Sequence, residues 1–268
     1  MLCVRAAAVK HFPSSITPFR HSAASFRHSA AFFRRKSPSI SSIRMSSSQS
    51  DSNQIVEHIV LFKVKPSVDP SAVSAMLTNL NSLSSLDTVL HLSVAPVSRC
   101  RSKTLSFTHM LHSRYRSKSD LATYTDHPEH VRVVVNYVRP VVEDTMAVDW
   151  VAEDFSGPVE IPPGSAARFT ILKLKEEGSK SEVLKVVRGV KDKFPSIEQL
   201  TVGENFSPAR AKGYSICSVA VFKGVEELEG LESETEIANM EKDKVREFLD
   251  GVVVLDFVVP SAVQSASL

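Results

Sequence analysis

From Ile55 to Lys65 the apolar side chains fall on both parities of an extended chain. Val56, His58, Val60, Phe62 and Val64 share one face and Ile59 and Leu61 the other, which predicts a strand covered on both sides. Pro66 to Pro70 predicts a turn, and Ala72 to Leu86 carries apolar residues at 72, 73, 76, 77, 80 and 83, the stripe of an amphipathic helix. A second strand, Val89 to Val94, is closed by Pro96. Arg99 to Lys103 reads as a basic polar loop, and Leu105 to Tyr115 as a third strand. Ser119 and Asp120 open a short helix that runs to Tyr124, Val131 to Val142 predicts another, and Thr145 to Val151 a last strand.

After a stretch holding Gly157, Pro158, Pro162, Pro163 and Gly164 the pattern restarts. RFTILKLK (168–175) repeats HIVLFKVK (58–65), both lysines included, and YSICSVAVF (214–222) matches FTHMLHSRY (107–115). Helices are predicted over Glu182 to Phe194, from Glu226 to Leu228 and over Ile237 to Leu249. Strands are predicted over Leu200 to Val202 and Val252 to Val259, where Asp256-Phe257 stands against Asp149-Trp150. The offset holds at 107 residues from the third strand onward, so the body is a tandem duplication. Each β-α-β-β-α-α-β unit is a split, ferredoxin-like α+β arrangement whose helices cover only one sheet face. Two such units stacked sheet to sheet bury the other face, which predicts an α+β barrel closed within the chain, an intrachain pseudo-dimer. Exchange between two chains, a homodimer, satisfies the same surface. The resulting layout is 1–50 as a targeting segment, 54–153 and 164–260 as the two repeats, 154–163 as linker and 261–268 as a flexible tail.

Composition changes the picture at the N-terminus. Residues 1–50 hold Arg5, Lys10, Arg20, Arg27, Arg34, Arg35, Lys36 and Arg44 and no acid, amid Ser, Ala and Phe, the make-up of a plastid or mitochondrial transit segment. Met45 is a candidate second start, and Ala266-Ser267-Leu268 is a weak form of the C-terminal peroxisomal address. The formal net charge of +2 therefore hides a body, 51–268, with 24 Lys and Arg against 30 Asp and Glu, −6 in all. That disfavours a nucleic-acid surface. No apolar run is long enough to span a membrane, and Cys3, Cys100 and Cys217 have neither metal nor disulfide spacing.

The candidate chemistry lies in Tyr124-Thr125-Asp126-His127-Pro128-Glu129-His130. Asp126 is placed to cap a helix and Pro128 sits where proline costs no hydrogen bond, so His127 and His130 come one turn apart beside a phenol. Imidazole exchanges protons near neutral pH. Acid/base work on a bound molecule and a purely architectural helix start both fit these residues.

HIVLFKVK, FTHMLHSRY, YTDHPEH and the AVDW ending (147–150) together resemble the stress-response A/B barrel (Dabb) family, and the duplication behind an N-terminal extension resembles its plant two-domain type. The family includes stress-induced plant proteins with no assigned reaction and, more distantly, olivetolic acid cyclase, which closes a polyketide by intramolecular aldol condensation. By that resemblance Tyr124 and His130 are the catalytic candidates, His130 taking a proton α to a carbonyl and Tyr124 orienting the substrate. His58, His109 and His127 are ligand-binding candidates. A small hydrophobic ligand is implied and no cofactor is required. The family pattern also implies a Mg2+ position at the end of the first helix, on the carbonyls of Asn81, Ser84 and Asp87. The second repeat has Leu231, Glu234, Thr235 and Ile237 for the knot and Arg168 and Ile216 for His58 and His109. It reads as a structural partner, which leaves a stress-response barrel with a non-catalytic binding or stability role as the first expectation and a cyclase-like enzyme as the alternative.

Overall fold

In a computed structural model, residues 54–153, 155–233 and 235–261 are described; the basic segment, Met45 and the C-terminal tripeptide lie outside them. The first half runs β1 (Ile55–Val64), α1 (Pro70–Ser82), β2 (His91–Pro96), β3 (Arg99–Ser102), β4 (His109–Tyr115), α2 (Lys118–Asp126), α3 (Pro128–Val133) and β5 (Val142–Ala152). The second runs β6 (Ala166–Leu174), α4 (Lys180–Arg188), β7 (Gln199–Glu204), β8 (Ile216–Phe222), α5 (Val225–Ser233), α6 (Thr235–Arg246) and β9 (Leu249–Val258). The strands form two antiparallel sheets, ordered β2-β4-β1-β5 and β3-β9-β6-β8-β7.

The expected loop at Arg99 to Lys103 is instead a strand, and it belongs to the other half's sheet. After Pro96 the chain leaves β4, and β3 pairs with β9, Arg99 opposite Asp256 and Arg101 opposite Val254. At the opposite seam Trp150 bridges Asn205, and the Phe206 amide donates to the Asp149 carbonyl at 2.8 Å. Gly203 lets β7 pass there: a Cβ would lie 2.6 Å from Cδ1 of Trp150. With both seams stitched the two bare sheet faces share one core. Ile59, Leu61, Met110, Val148 and Trp150 pack against Phe169, Ile171, Val219, Leu255 and Phe257. The predicted pseudo-dimer barrel is what the fold shows.

The outer faces carry the helices, and strand parity decides which residues meet them. Val56 and Phe62 face α1 to α3 with Met76, Leu77, Leu80 and Leu121. The repeated lysines have matching roles in the two halves. Lys65 Nζ donates to the Pro140 carbonyl at 2.7 Å and Lys175 Nζ to that of Glu247 at 2.8 Å, each holding the end of a half's last helix. The helix expected over 131–142 starts earlier, at Pro128, and ends in a π-helical turn at Val134–Val138. The Lys65 amide donates to the Val141 carbonyl and β5 begins at Val142, which draws that stretch into the sheet. The helix expected over 237–249 likewise yields to β9 at Leu249.

Candidate functional site

Three of the candidate residues, His58, Tyr124 and His130, meet on the helix-covered side of the first sheet. His58 lies opposite Asp149 in the β1–β5 register and donates through Nδ1 to its carboxylate, both groups buried. Burial would raise the Asp149 carboxyl, but His58 outweighs it, helped by Ser207 and Arg210, and the pKa is lowered. Ser207 and Arg210 come from the second half, and Asn205 accepts the Asp149 amide through Oδ1 at 2.9 Å. The first half's site is thus closed by the other repeat.

Tyr124 reaches this cluster from α2. Its ring centroid is 6.3 Å from that of His58, 5.2 Å from Tyr115 and 4.7 Å from His130. Its hydroxyl joins that of Tyr115, which in turn meets Ser113 Oγ at 3.0 Å. Tyr124 is 1% exposed and Tyr115 fully buried, and burial pushes both phenols above their ordinary range. These two rings, with Leu80, Leu83 and Val133, fill the space between helices and sheet. His130 is half-buried and donates through Nδ1 to the Thr125 carbonyl at 2.9 Å, which leaves Nε2 as its basic atom; burial lowers its pKa.

The other two histidines are not brought to the cluster. His127, not Asp126, is the N-cap of α3: its Nδ1 accepts the Glu129 amide at 3.2 Å, while Asp126 ends α2. Pro128 occupies the first helical position, as its place in the sequence requires. His109 lies opposite Phe62, four residues along the sheet from the His58 pairing at Ser113, a spacing of roughly 13 Å. Its Nδ1 meets Thr108 Oγ1 at 2.9 Å. Of the carbonyls carried over for Mg2+, that of Asn81 already accepts the Leu83 amide. Ser84 and Asp87 follow on an exposed turn. Three neutral carbonyls, one of them already accepting an amide, fit Mg2+ poorly, since it seeks carboxylate and water oxygen in an octahedron. Among the described residues no group of three or more His, Cys, Asp or Glu is arranged to hold a metal.

Two features escaped the sequence reading. Inside the barrel, Glu57 takes His112 Nε2 at 2.6 Å, Thr201 Oγ1 at 3.0 Å and Arg114 Nη2 at 3.0 Å. Arg114 also donates to Gln199 Oε1 at 2.7 Å and to the Val159 carbonyl at 2.8 Å, so one buried network joins both repeats and the chain between them. Glu57 and Arg114 are fully buried. Burial would raise the Glu57 carboxyl, yet Arg114 and His112 hold it at about 2, and burial lowers His112 and takes His91 to about 3. The signal was parity: Glu57 shares the face of Ile59 and Leu61, a charge aimed at a core.

The second feature is a cavity of about 810 Å³ between the helices and sheet of the second half. Its floor includes Arg168, Thr170, Ser218 and Ala220, its opposite wall Val187, Leu231 and Val245 on the helices and Val190 just past α4, and β3 adds Arg101 at the rim. Arg168 and Asp256 occupy the register positions of His58 and Asp149 and pair at 2.7 Å, with Arg101 joining at 2.9 Å. The repeat expected to be a plain structural partner holds this cavity.

The sequence profile of the stress-responsive A/B barrel domain matches twice, over residues 56–152 and 166–259. The chain belongs to the stress-responsive A/B barrel family. It is 52% identical over 230 residues to a stress-response A/B barrel domain-containing protein of Arabidopsis thaliana, covering 85% of this chain and 87% of that one. It is 44% identical over 212 residues to a second Arabidopsis protein of the same description, covering 78% of this chain and 99% of that one. Among solved structures, a Fusobacterium nucleatum protein with a provisional monooxygenase name aligns at a TM-score of 0.55 and 16% identity, over 78% of this chain and 93% of its own. An anthrone oxidase-like protein aligns at 0.53 and 13%, over 78% and 92%. At such identities these structures share the family's fold and carry no activity across. No helix among the described residues is long and apolar enough to cross a membrane.

Proposed function

We propose that this family member is a non-catalytic barrel that binds a small, largely apolar molecule in its second half. The observation that carries the reading is the contrast between the two outer layers. Tyr124 is 1% exposed among packed rings, whereas the second half keeps about 810 Å³ walled for the most part by apolar side chains. That volume falls within the range of about 300–1,000 Å³ common for small-molecule sites. Among the described lining residues there is no histidine, so the cavity's tyrosine, Tyr214, has no imidazole beside it there. The test is titration of the purified chain with the neutral fluorophore N-phenyl-1-naphthylamine. Saturable binding at one site per chain, lost in Ala220→Phe and retained in His130→Ala, supports the reading. Absence of saturable binding by the unaltered chain sinks it.

One observation favours a second reading, aldol-type cyclisation by Tyr124 and His130. Their rings lie 4.7 Å apart, and the Thr125 carbonyl fixes His130 with Nε2 as base. On that reading a poly-β-ketide substrate is turned over, and His130→Ala abolishes turnover while leaving the melting temperature in place.

A further inference from the structure

Resting on the binding reading above, we infer that the second-half cavity selects an amphipathic monocarboxylate, its apolar body against the α4 and α6 side and its carboxylate at the rim made by Arg101 and Lys103. Four observations converge. The deep walls are apolar, with Val187, Val190, Leu231 and Val245 facing Ala220 and Phe222. The charged groups among the described lining residues are Arg101, Lys103, Arg168, Lys242 and Arg246 against only Glu241 and Asp250. Both of those acids are engaged by lysines outside the lining, Asp250 by Lys173 at 2.8 Å and Glu241 by Lys244 at 2.6 Å, as Arg246 is by Asp243 at 2.7 Å. Asp256, paired with Arg168 of the floor through both oxygens at 2.7 and 3.0 Å, also accepts Arg101 at 2.9 Å, so two guanidinium groups share one carboxylate and the balance there is positive. The cavity therefore combines an oily interior with a basic rim, and a carboxylate at that rim meets guanidinium and ammonium donors in a partly dehydrated setting.

The rim also belongs to a different repeat from the walls. Arg101 and Lys103 arrive only because β3 crosses from the first half to pair with β9. A lone copy of the second repeat would have the apolar chamber without these two cations. Duplication and crossing together turn an apolar gap into a site with a charged end, and they do so on one side of the barrel only.

Isothermal titration of the full chain with decanoate, decan-1-ol and decyltrimethylammonium at neutral pH tests the assignment. Decanoate is expected to bind about tenfold more tightly than the alcohol, the value of one charge-assisted hydrogen bond, and the ammonium more weakly than either. Added salt should erode the preference. Arg101→Gln with Lys103→Gln should remove the preference while leaving decan-1-ol affinity unchanged. Lys242→Gln, on an exposed helical position, should reduce it severalfold without touching β3. Equal affinity for acid and alcohol, or a preference indifferent to all three substitutions, overturns the carboxylate assignment and leaves apolar binding standing. Failure of all three probes to bind, or binding that survives Ala220→Phe, overturns the cavity reading beneath it.

Discussion

The two repeats place an acid at the same point of the same strand and surround it differently. In the first, Asp149 takes an imidazole partner from His58, and two tyrosines close over the pair. In the second, Asp256 takes Arg168, while Phe222 and Leu231 stand where Tyr115 and Tyr124 stand in the first, and the space stays open. The interior faces differ as well. Glu57, His112 and Arg114 correspond to Ala167, Val219 and Val221, so one sheet contributes a charged network to a core that the other sheet lines with hydrocarbon. A duplicated fold keeps its register because hydrogen bonding and parity enforce it. Side chains between sheet and helix are then free to diverge, one half towards filling and the other towards a chamber.

The largest effect is expected where charge is buried. Glu57→Gln leaves Arg114 without its counter-charge and should cost about 3–5 kcal/mol in urea denaturation. Copying the second half's residues, as Glu57→Ala, His112→Val and Arg114→Val together, should recover part of that loss, because no orphaned charge remains. A triple variant less stable than the single one would show that the network does more than the hydrocarbon it replaces. The same carboxyl sets an acid limit. Its folded pKa of about 2 lies below its ordinary 4.5, so its stabilisation is full above pH 4.5 and fades as pH falls towards 2, in all about 3 kcal/mol. His112, lowered by burial, acts in the same direction from its ordinary 6.5 downward, since the unfolded chain takes up the proton first. A stability profile that did not fall on acidification would contradict the buried pair.

Tyr124→Leu transfers the second half's residue to the first. It should cost about 2–4 kcal/mol in stability by opening a void, and it should raise the number of naphthylamine sites per chain above one. A stable variant with unchanged stoichiometry would mean that the first half closes by other means. Gly203→Ala forces a methyl against Trp150 at the β5–β7 seam and should cost about 1–3 kcal/mol in thermal unfolding. The smallest effect tests the symmetry itself. Lys65→Met and Lys175→Met remove equivalent carbonyl contacts and should each cost about 0.5 kcal/mol, so unequal losses would break the equivalence of the two ends.

Some of this was legible in the residues. The repeated lysines, the Asp149 and Asp256 positions and the two-sided apolar run shared by β1 and β6 each follow from local chemistry with a fixed period, so the halves and their pairing could be read from them. The YTDHPEH stretch showed a helix start but named the wrong cap. Asp and His can both accept an amide there, and only the backbone path past Asp126, still helical, gives the place to His127. Parity puts Glu57 and Arg114 on the core-facing sides of their strands, yet their partners Thr201, Gln199 and Val159 lie between 45 and 144 residues away and could not be read from spacing. The basic run at Arg99 to Lys103 looked like a loop because the partner of β3, β9, begins far along the chain.

By itself, then, the sequence determined the α+β class, the duplication and the faces of the strands, because periodicity is a property of neighbours along the chain. The tertiary structure alone decided that β3 crosses to the other sheet, that the phenols seal one outer layer and that the other keeps a cavity. Volume and charge balance at those places are sums over side chains from both repeats, and they exist only once the two sheets have closed on each other.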